Sequence, residues 1–359
     1  MKRVVLSVVL FFVCTCGAKE NENMFANEMS SFCLIGCGFL NSKGDIAIDP
    51  VFDYANPFSS AGLALVGSEY KGIFIDFKGQ WIVDTKFDDA DSFSSNYLAA
   101  VKIRNKWGYI NDDGLIVIEM QFNEAKHFSE NGLAPVRWKD EWGFIDDRGR
   151  VAIKPQFEDA YPFDASELAR VKIGGKWGFI NRYGELVIKA EFDLAHGFGE
   201  ELLAAVRKNN KYGFIDVKGN MVIKPQFDYA ADFARNLSIV QSSGKLGYID
   251  TKGHIVIKPI FDGAVSFNLN DVAAVKLNKQ WNLIDKKGNI IAKFKQEGTV
   301  EALSNGLFLI EDNSFNQHWY DSKGKLLLYT DAVCNITTLK NAGGNIIWPR
   351  MTKEEICGE

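Results

Sequence analysis

The chain has 359 residues, 47% hydrophobic and 24% charged, the balance of an ordinary globular protein, and its length suits two domains or one long repeat array. Its formal net charge is -5, and more negative once Lys2 and Arg3 are lost with a leader. That excludes a protein held to nucleic acid by phosphate attraction.

Residues 1–18, MKRVVLSVVLFFVCTCGA, place two basic residues before an apolar run from Val4 to Val13, with small residues after it. This is the layout of a secretory signal peptide, and the run is too short to span a membrane. Cleavage after Ala18 releases a soluble chain. Cleavage before Cys16 leaves a cysteine for lipid attachment, and this lipoprotein reading is placed first. Val13, Cys14 and Thr15 match a lipobox loosely, and Gly17 suits the next position. Residues 19–32 are polar and read as a tether. No later segment is long and apolar enough for a membrane helix.

From Cys33 to about residue 300 the chain repeats. Glycines at 44, 79, 114, 149, 184, 219 and 253 are each followed eight residues later by phenylalanine, from Phe52 to Phe261. The period is 35, once 34, and a fixed period in this range means a stacked or radial array. Within the unit at 133–163, three strands are predicted: Leu133–Arg137, Trp142–Ile145 and Val151–Lys154. Their short lengths, β-branched and aromatic content and close turn signals favour antiparallel meanders, and no sustained helical period interrupts them.

The turn before each glycine opens on Asp or Asn (Asp76, Asn111, Asp146, Asn181, Asp216, Asp250, Asp285). Such a side chain bonds the backbone two residues on, and the glycine accepts positive φ. Calcium is the rival, but one oxygen ligand per turn does not make a calcium loop. First strands carry small pairs such as Ala99-Ala100 and Ala204-Ala205, which suit close approach to a central axis. The second strand opens on Trp107-Gly108, Trp142-Gly143 and Trp177-Gly178, softens to Tyr212-Gly213 and Leu246-Gly247, and becomes Trp281-Asn282. These tryptophans read as packing residues, with a carbohydrate-stacking platform as the alternative. Lys71 and Leu246 interrupt the column. A second phenylalanine column runs from Phe58 to Phe267 and, with the first, supplies an inter-unit core that no single unit can bury. Pro50, Pro155, Pro225 and Pro259 mark strand ends or edges. After Gly288 the phenylalanine lapses to Gln296. A weak hairpin remains at Gly324, and residues 301–359 read as a degenerate repeat with a C-terminal cap.

The runs KWGYIN (106–111), EWGFID (141–146), KWGFIN (176–181) and KYGFID (211–216), with VAIKPQF (151–157) and VIKPQFD (222–228), resemble the bacterial WG, or KWG, repeats. The resemblance spans roughly residues 33–300. It implies an exported or surface repeat protein with no assigned catalytic chemistry and no catalytic residues to carry over.

The expected fold is all-β: tandem antiparallel meanders in a β-propeller of eight units, with an open solenoid of stacked hairpins as the alternative. Cys33, Cys37, Cys334 and Cys357 are candidate disulfide partners in an exported chain; four cysteines allow three pairings, and their spacing does not match zinc sites. The histidines at 127, 196, 254 and 318 occupy different columns, and no nucleophile elbow, phosphate loop or zinc motif is present. No cofactor or metal is expected. The expected function is a non-catalytic binding or scaffolding module at the cell envelope or surface. Its partner is a protein or a cell-wall polymer, and it meets the membrane only through a lipid anchor. A lectin-like wall binder and a hydrolase are the alternatives.

Overall fold

A computed structural model describes residues 29–357, apart from 35, 69–70, 84–86, 304 and 335. The leader, with Cys16, and the tether up to residue 28 lie outside the described residues. Met29–Cys33 is a strand of the first sheet, with Met29 and Phe32 buried, so residues 29–32, assigned from sequence to the tether, belong to the fold.

Each repeat builds one antiparallel sheet. In the fourth sheet the predicted strands are found at Leu133–Trp138, Glu141–Asp146 and Val151–Phe157. A further strand, not foreseen, is the two-residue Glu124–Ala125, which pairs with Arg137 and Val136. The connector then keeps running against the first strand: the Lys126 amide donates to Pro135 O and the Ser129 amide to Leu133 O. A 35-residue unit therefore suffices for four strands, because the connector itself supplies one of them.

The described residues form nine sheets, not eight: the first has three strands, the next seven have four, and the ninth has six. Residues 331–359, expected as a cap outside the period, extend the ninth sheet through Leu326–Val333, Ile336–Asn341 and Ile346–Trp348.

Neighbouring sheets are joined at the connector edge. The Phe128 amide donates to Ser94 Oγ at 3.1 Å, the Phe163 amide to Ser129 Oγ at 2.7 Å and the Phe198 amide to Asp164 Oδ2 at 2.6 Å, each across about one unit. Radiating sheets approach one another most closely at their inner edges, so this edge faces the axis. The Leu-Ala-Ala-Val strands, expected to line the centre, lie one strand further out, and Ala99 and Ala100 are fully buried.

Both phenylalanine columns are buried between sheets, as expected. A third aromatic column, on the second strand, completes the layer. Tyr109 meets Phe128, Phe144 meets Phe163, Phe179 meets Phe198 and Phe214 meets Phe233, with ring centroids 4.8–5.2 Å apart.

The turn glycines show that the ring closes. A Cβ on Gly149 would touch Ile118 of the preceding sheet at 3.0 Å, and one on Gly184 would touch Ile153 at 2.9 Å. Gly44, in the first sheet, stands in the same way against Leu327 and Leu328 of the ninth. Across that seam the Asn305 amide donates to Ser30 Oγ at 3.1 Å and Arg350 pairs with Asp49 at 2.7 Å. Phe32 and Leu40 share a buried cluster with Leu307, Trp319, Leu328 and Leu339. The fold is a closed nine-bladed β-propeller.

Candidate binding surfaces

The Trp-Gly column is structural. Trp142 and Trp281 are buried, Trp107 and Trp177 half-buried. Trp281 Nε1 donates to Gly298 O at 2.9 Å. These four rings form no open row, so the stacking platform lacks its surface. The partner glycines have a backbone reason: a Cβ at Gly108, Gly143 or Gly178 would lie 2.4–2.6 Å from a carbonyl oxygen of the third strand. That strand bulges there, between the pairs Trp142↔Phe157 and Phe144↔Ile153. Pro155 sits in the bulge, where no ladder donor is missed.

Asn282 departs from the pattern because its sheet lacks this bulge. It pairs directly with Lys293, and the Phe294 amide donates to Trp281 O. The path from the turn glycine to the phenylalanine is two residues shorter, so Phe294, 1% exposed, fills the place expected for residue 296. The phenylalanine column does not lapse; it shifts.

The Asp/Asn turns behave as expected. Asp216 Oδ1 accepts from the Lys218 and Asn220 amides at 2.9 and 2.8 Å, and the same pair of bonds recurs at Asp76, Asp146 and Asn181. A second acidic column, one residue after the first phenylalanine column, ties sheets together. Asp193 accepts from the Asn209 amide at 3.1 Å and pairs with Lys176 of the preceding sheet. Asp228 repeats this with Ser243 and Lys211. Lys176 of KWG with Asp193, and Lys211 of KYG with Asp228, are thus the same bridge, 17 residues apart, while Lys106 meets Asn123 instead. The regular spacing of Lys176, Lys211 and Lys245 with Asp193, Asp228 and Asp262 was the available signal.

The cysteines pair as Cys33–Cys37 and Cys334–Cys357, with Cα atoms 3.9 and 5.4 Å apart. The second bridge fixes the short helix Lys353–Cys357 to the end of Leu326–Val333. Each histidine has its own carboxylate: His127 with Asp91 at 3.5 Å, His196 with Asp232 at 2.7 Å, His254 with Asp250 at 3.0 Å and His318 with Asp312 at 3.2 Å. Among the described residues no group of three His, Cys, Asp or Glu side chains is arranged to hold a metal. The recess at the seam, about 310 Å³ and lined in part by Lys43, Asn341 and Arg350, is shallow and mixed in character.

What does not recur gathers at the inner rim of consecutive sheets. The position two residues after each inner-strand start is Asp91, Lys126, Tyr161 and then His196, but Ala231 and Val265 further round. Lys126 Nζ lies 3.5 Å from the Tyr161 ring and donates to Ala160 O at 2.8 Å. Burial lowers its pKa, against the opposing pull of Asp159. Arg170 replaces the small residue of its column, stacks on Tyr161 at 3.7 Å and donates to Ala195 O at 2.7 Å. Asp164 lies beside this group; burial raises its carboxyl, and the bonds from Ser166 and the Phe198 amide only partly offset that.

No curated protein matches the sequence. Among solved structures, one described as a eukaryotic initiation factor aligns at 12% identity and TM-score 0.62, covering 84% of this chain and 94% of its own. BamB from Moraxella catarrhalis aligns at 13% identity and TM-score 0.45, covering 76% and 91%. The first of these likenesses concerns the propeller fold alone. The WG containing repeat profile matches residues 38–71, 74–107, 107–141, 142–177, 177–212, 212–245 and 247–281, each match running from the second strand of one sheet to the first strands of the next. The chain belongs to the WG containing repeat family.

Proposed function

We infer that this propeller is a non-catalytic binding module, exported to the cell envelope or surface, whose ligand is a protein. One observation carries the reading: the recurring aromatics lie in the core between sheets, while the residues that break the repeat collect on the inner rim of adjacent sheets. Lys126, Tyr161, Arg170 and His196 present charge and aromatic surface there, and a repeat scaffold carries its specificity in such variable positions. The leader of residues 1–18 and the two disulfides support an oxidising destination, and Cys16 offers a lipid anchor.

A photo-crosslinking residue placed at His127, half exposed on this rim, tests the reading in living cells. The expected product is a discrete protein adduct that disappears when Arg170→Ala is added, with folding checked by thermal melting. Glycan-only adducts, or adducts indifferent to Arg170, overturn it. Mass spectrometry of the mature N-terminus reports export: an acylated Cys16 or a start at Lys19 is expected, and an intact Met1 removes that part of the reading.

A further inference from the structure

One recurring feature is not buried. In several sheets the third strand opens with adjacent apolar residues that stay in solvent. Ile116 and Val117 are 48% and 45% exposed, Leu186 and Val187 47% and 44%, Ile255 and Val256 56% and 41%. The neighbouring turn covers only the isoleucine that follows each pair, as Gly149 covers Ile118 and Gly219 covers Ile188. These strands are the outer edges of their sheets, so a row of backbone groups there has no strand beside it.

The charges flanking the apolar pair differ around the ring. On sheet five, Arg182 precedes it and Lys189 follows it, with the exposed Glu185 directly before Leu186. Sheets six and seven repeat the order with Lys218 and Lys224, then Lys252 and Lys258, all exposed. Lys189, Lys224 and Lys258 have no ion-pair partner among the described residues. Sheet three reverses the sign: Asp112 and Asp113 precede an exposed run, Leu115-Ile116-Val117, and Glu119 follows it. Sheet three has Met120 where sheets four, six and seven carry Pro155, Pro225 and Pro259, a position in the bulge and beyond the apolar pair.

We propose that the acidic edge of sheet three docks against the basic edge of sheet seven, where both apolar residues are exposed, on a second copy of this chain. Laid antiparallel with Ile116–Val117 against Ile255–Val256, the two edges bring Asp113 to the Lys258 end and Glu119 to the Lys252 end. Like edges repel, since acid would face acid or lysine face lysine, so a symmetric pair is disfavoured. The contact is head-to-tail, and a head-to-tail contact that does not close into a ring grows into chains. The occupant is identified by complementarity: the acid–apolar–acid edge and its base–apolar–base counterpart are both on this molecule. The contact uses the perimeter and is independent of the ligand read from the inner rim.

Sedimentation velocity of the mature chain over a wide concentration range, at low and high salt, is the test. Concentration-dependent association that weakens with salt is expected. Asp112→Lys/Asp113→Lys/Glu119→Lys is expected to weaken it about tenfold or more, as is Lys252→Glu/Lys258→Glu. Mixing the two variants is expected to restore association, because each then supplies the edge the other lacks. Neither set touches the core, and the turn cap is Asn111, so native melting is expected in both. A chain that stays monomeric throughout overturns the proposal. So does association indifferent to the sheet-three reversal, or a mixture that fails to associate.

Discussion

At the scale of single residues, the glycine of each Trp-Gly pair and the glycine of each turn have different reasons to be glycine. Gly149 has φ 75°, which only glycine adopts freely. Gly143 has no such need; it is glycine because the third strand's backbone occupies the Cβ position, with Ile153 O at 2.6 Å and Pro155 N at 2.7 Å. Backbone cannot step aside as a flexible side chain can. Gly143→Ala is therefore expected to cost about 2 kcal/mol or more in a denaturant titration. Asn282 holds the same column in a sheet without the bulge, and its Nδ2 donates to Gln280 O at 2.8 Å. Asn282→Gly is expected to destabilise rather than help. Tolerance of Gly143→Ala, or a gain from Asn282→Gly, would remove the bulge as the cause of the column. The sequence made the column visible but not this cause, because a close approach of two backbones leaves no mark on residue type except the glycine itself. For the same reason Gln296 looks like a gap: without the bulge the path from Gly288 is two residues shorter, which moves Phe294 into place and breaks the count without breaking the packing.

Strands and turns were legible where one residue type has one local job. Asp or Asn opening a turn that ends in glycine predicted the bonds found at Asp216 and Asn181. The inner strand was not legible. Glu124–Ala125 is two residues long, has no alternation to read, and is a strand only because Leu133–Trp138 lies beside it. The inner-rim cluster was hidden for a related reason. Lys126, Tyr161 and Arg170 come from two columns of the repeat, and they meet because adjacent sheets converge at the axis. The turns also make a pH prediction. At Asp216 slight burial acts to raise the carboxyl, but hydrogen bonds from Asn220 and from the Asn220 and Lys218 amides outweigh it, and the net shift is downward. The Asn289 side chain leads the lowering at Asp285, and Asp146 and Asp250 are lowered too. A carboxyl lowered on folding contributes stability that is complete above its unfolded value, about 4, and is lost as pH falls through the folded value. Asn already serves this position at Asn111 and Asn181 and does not titrate. Replacing Asp146, Asp216, Asp250 and Asp285 by Asn should leave neutral stability nearly unchanged. It should also shallow the loss of stability below about pH 4, read as chemical denaturation midpoints across pH. An unchanged acid limb would mean that these turns do not carry the dependence.

For the whole molecule, the question that sequence left open between ring and coil has energetic consequences. An open stack behaves as a row of neighbours, so damage at one end stays near that end. A closed ring has no end, and the sheets that meet at the seam are first and last only in sequence. The seam adds contacts of its own to the repeating turn-glycine contact: Trp319 is fully buried and meets Phe32 edge-on at 6.1 Å, and Asn305 reaches Ser30 and the Asn41 carbonyl. Trp319→Ala removes the largest of these side chains, at a cost of about 3 kcal/mol or more. If closure stabilises the ring as a unit, amide exchange should quicken not only in the first and ninth sheets. It should quicken also at Lys176–Ile180 in the fifth, across the ring, because opening the seam gives every sheet a less constrained neighbour. If exchange changes only at the seam, the sheets are held pairwise and closure adds no cooperativity. The disulfide Cys334–Cys357 provides the internal control. It fixes the helix Lys353–Cys357 to a strand already within the ninth sheet, so it does not bridge the seam. Reducing it should free the C-terminal amides alone and leave the fifth sheet's protection where it was. The contrast between these two perturbations of the same sheet separates a closed ring from a row of neighbours that happens to meet itself.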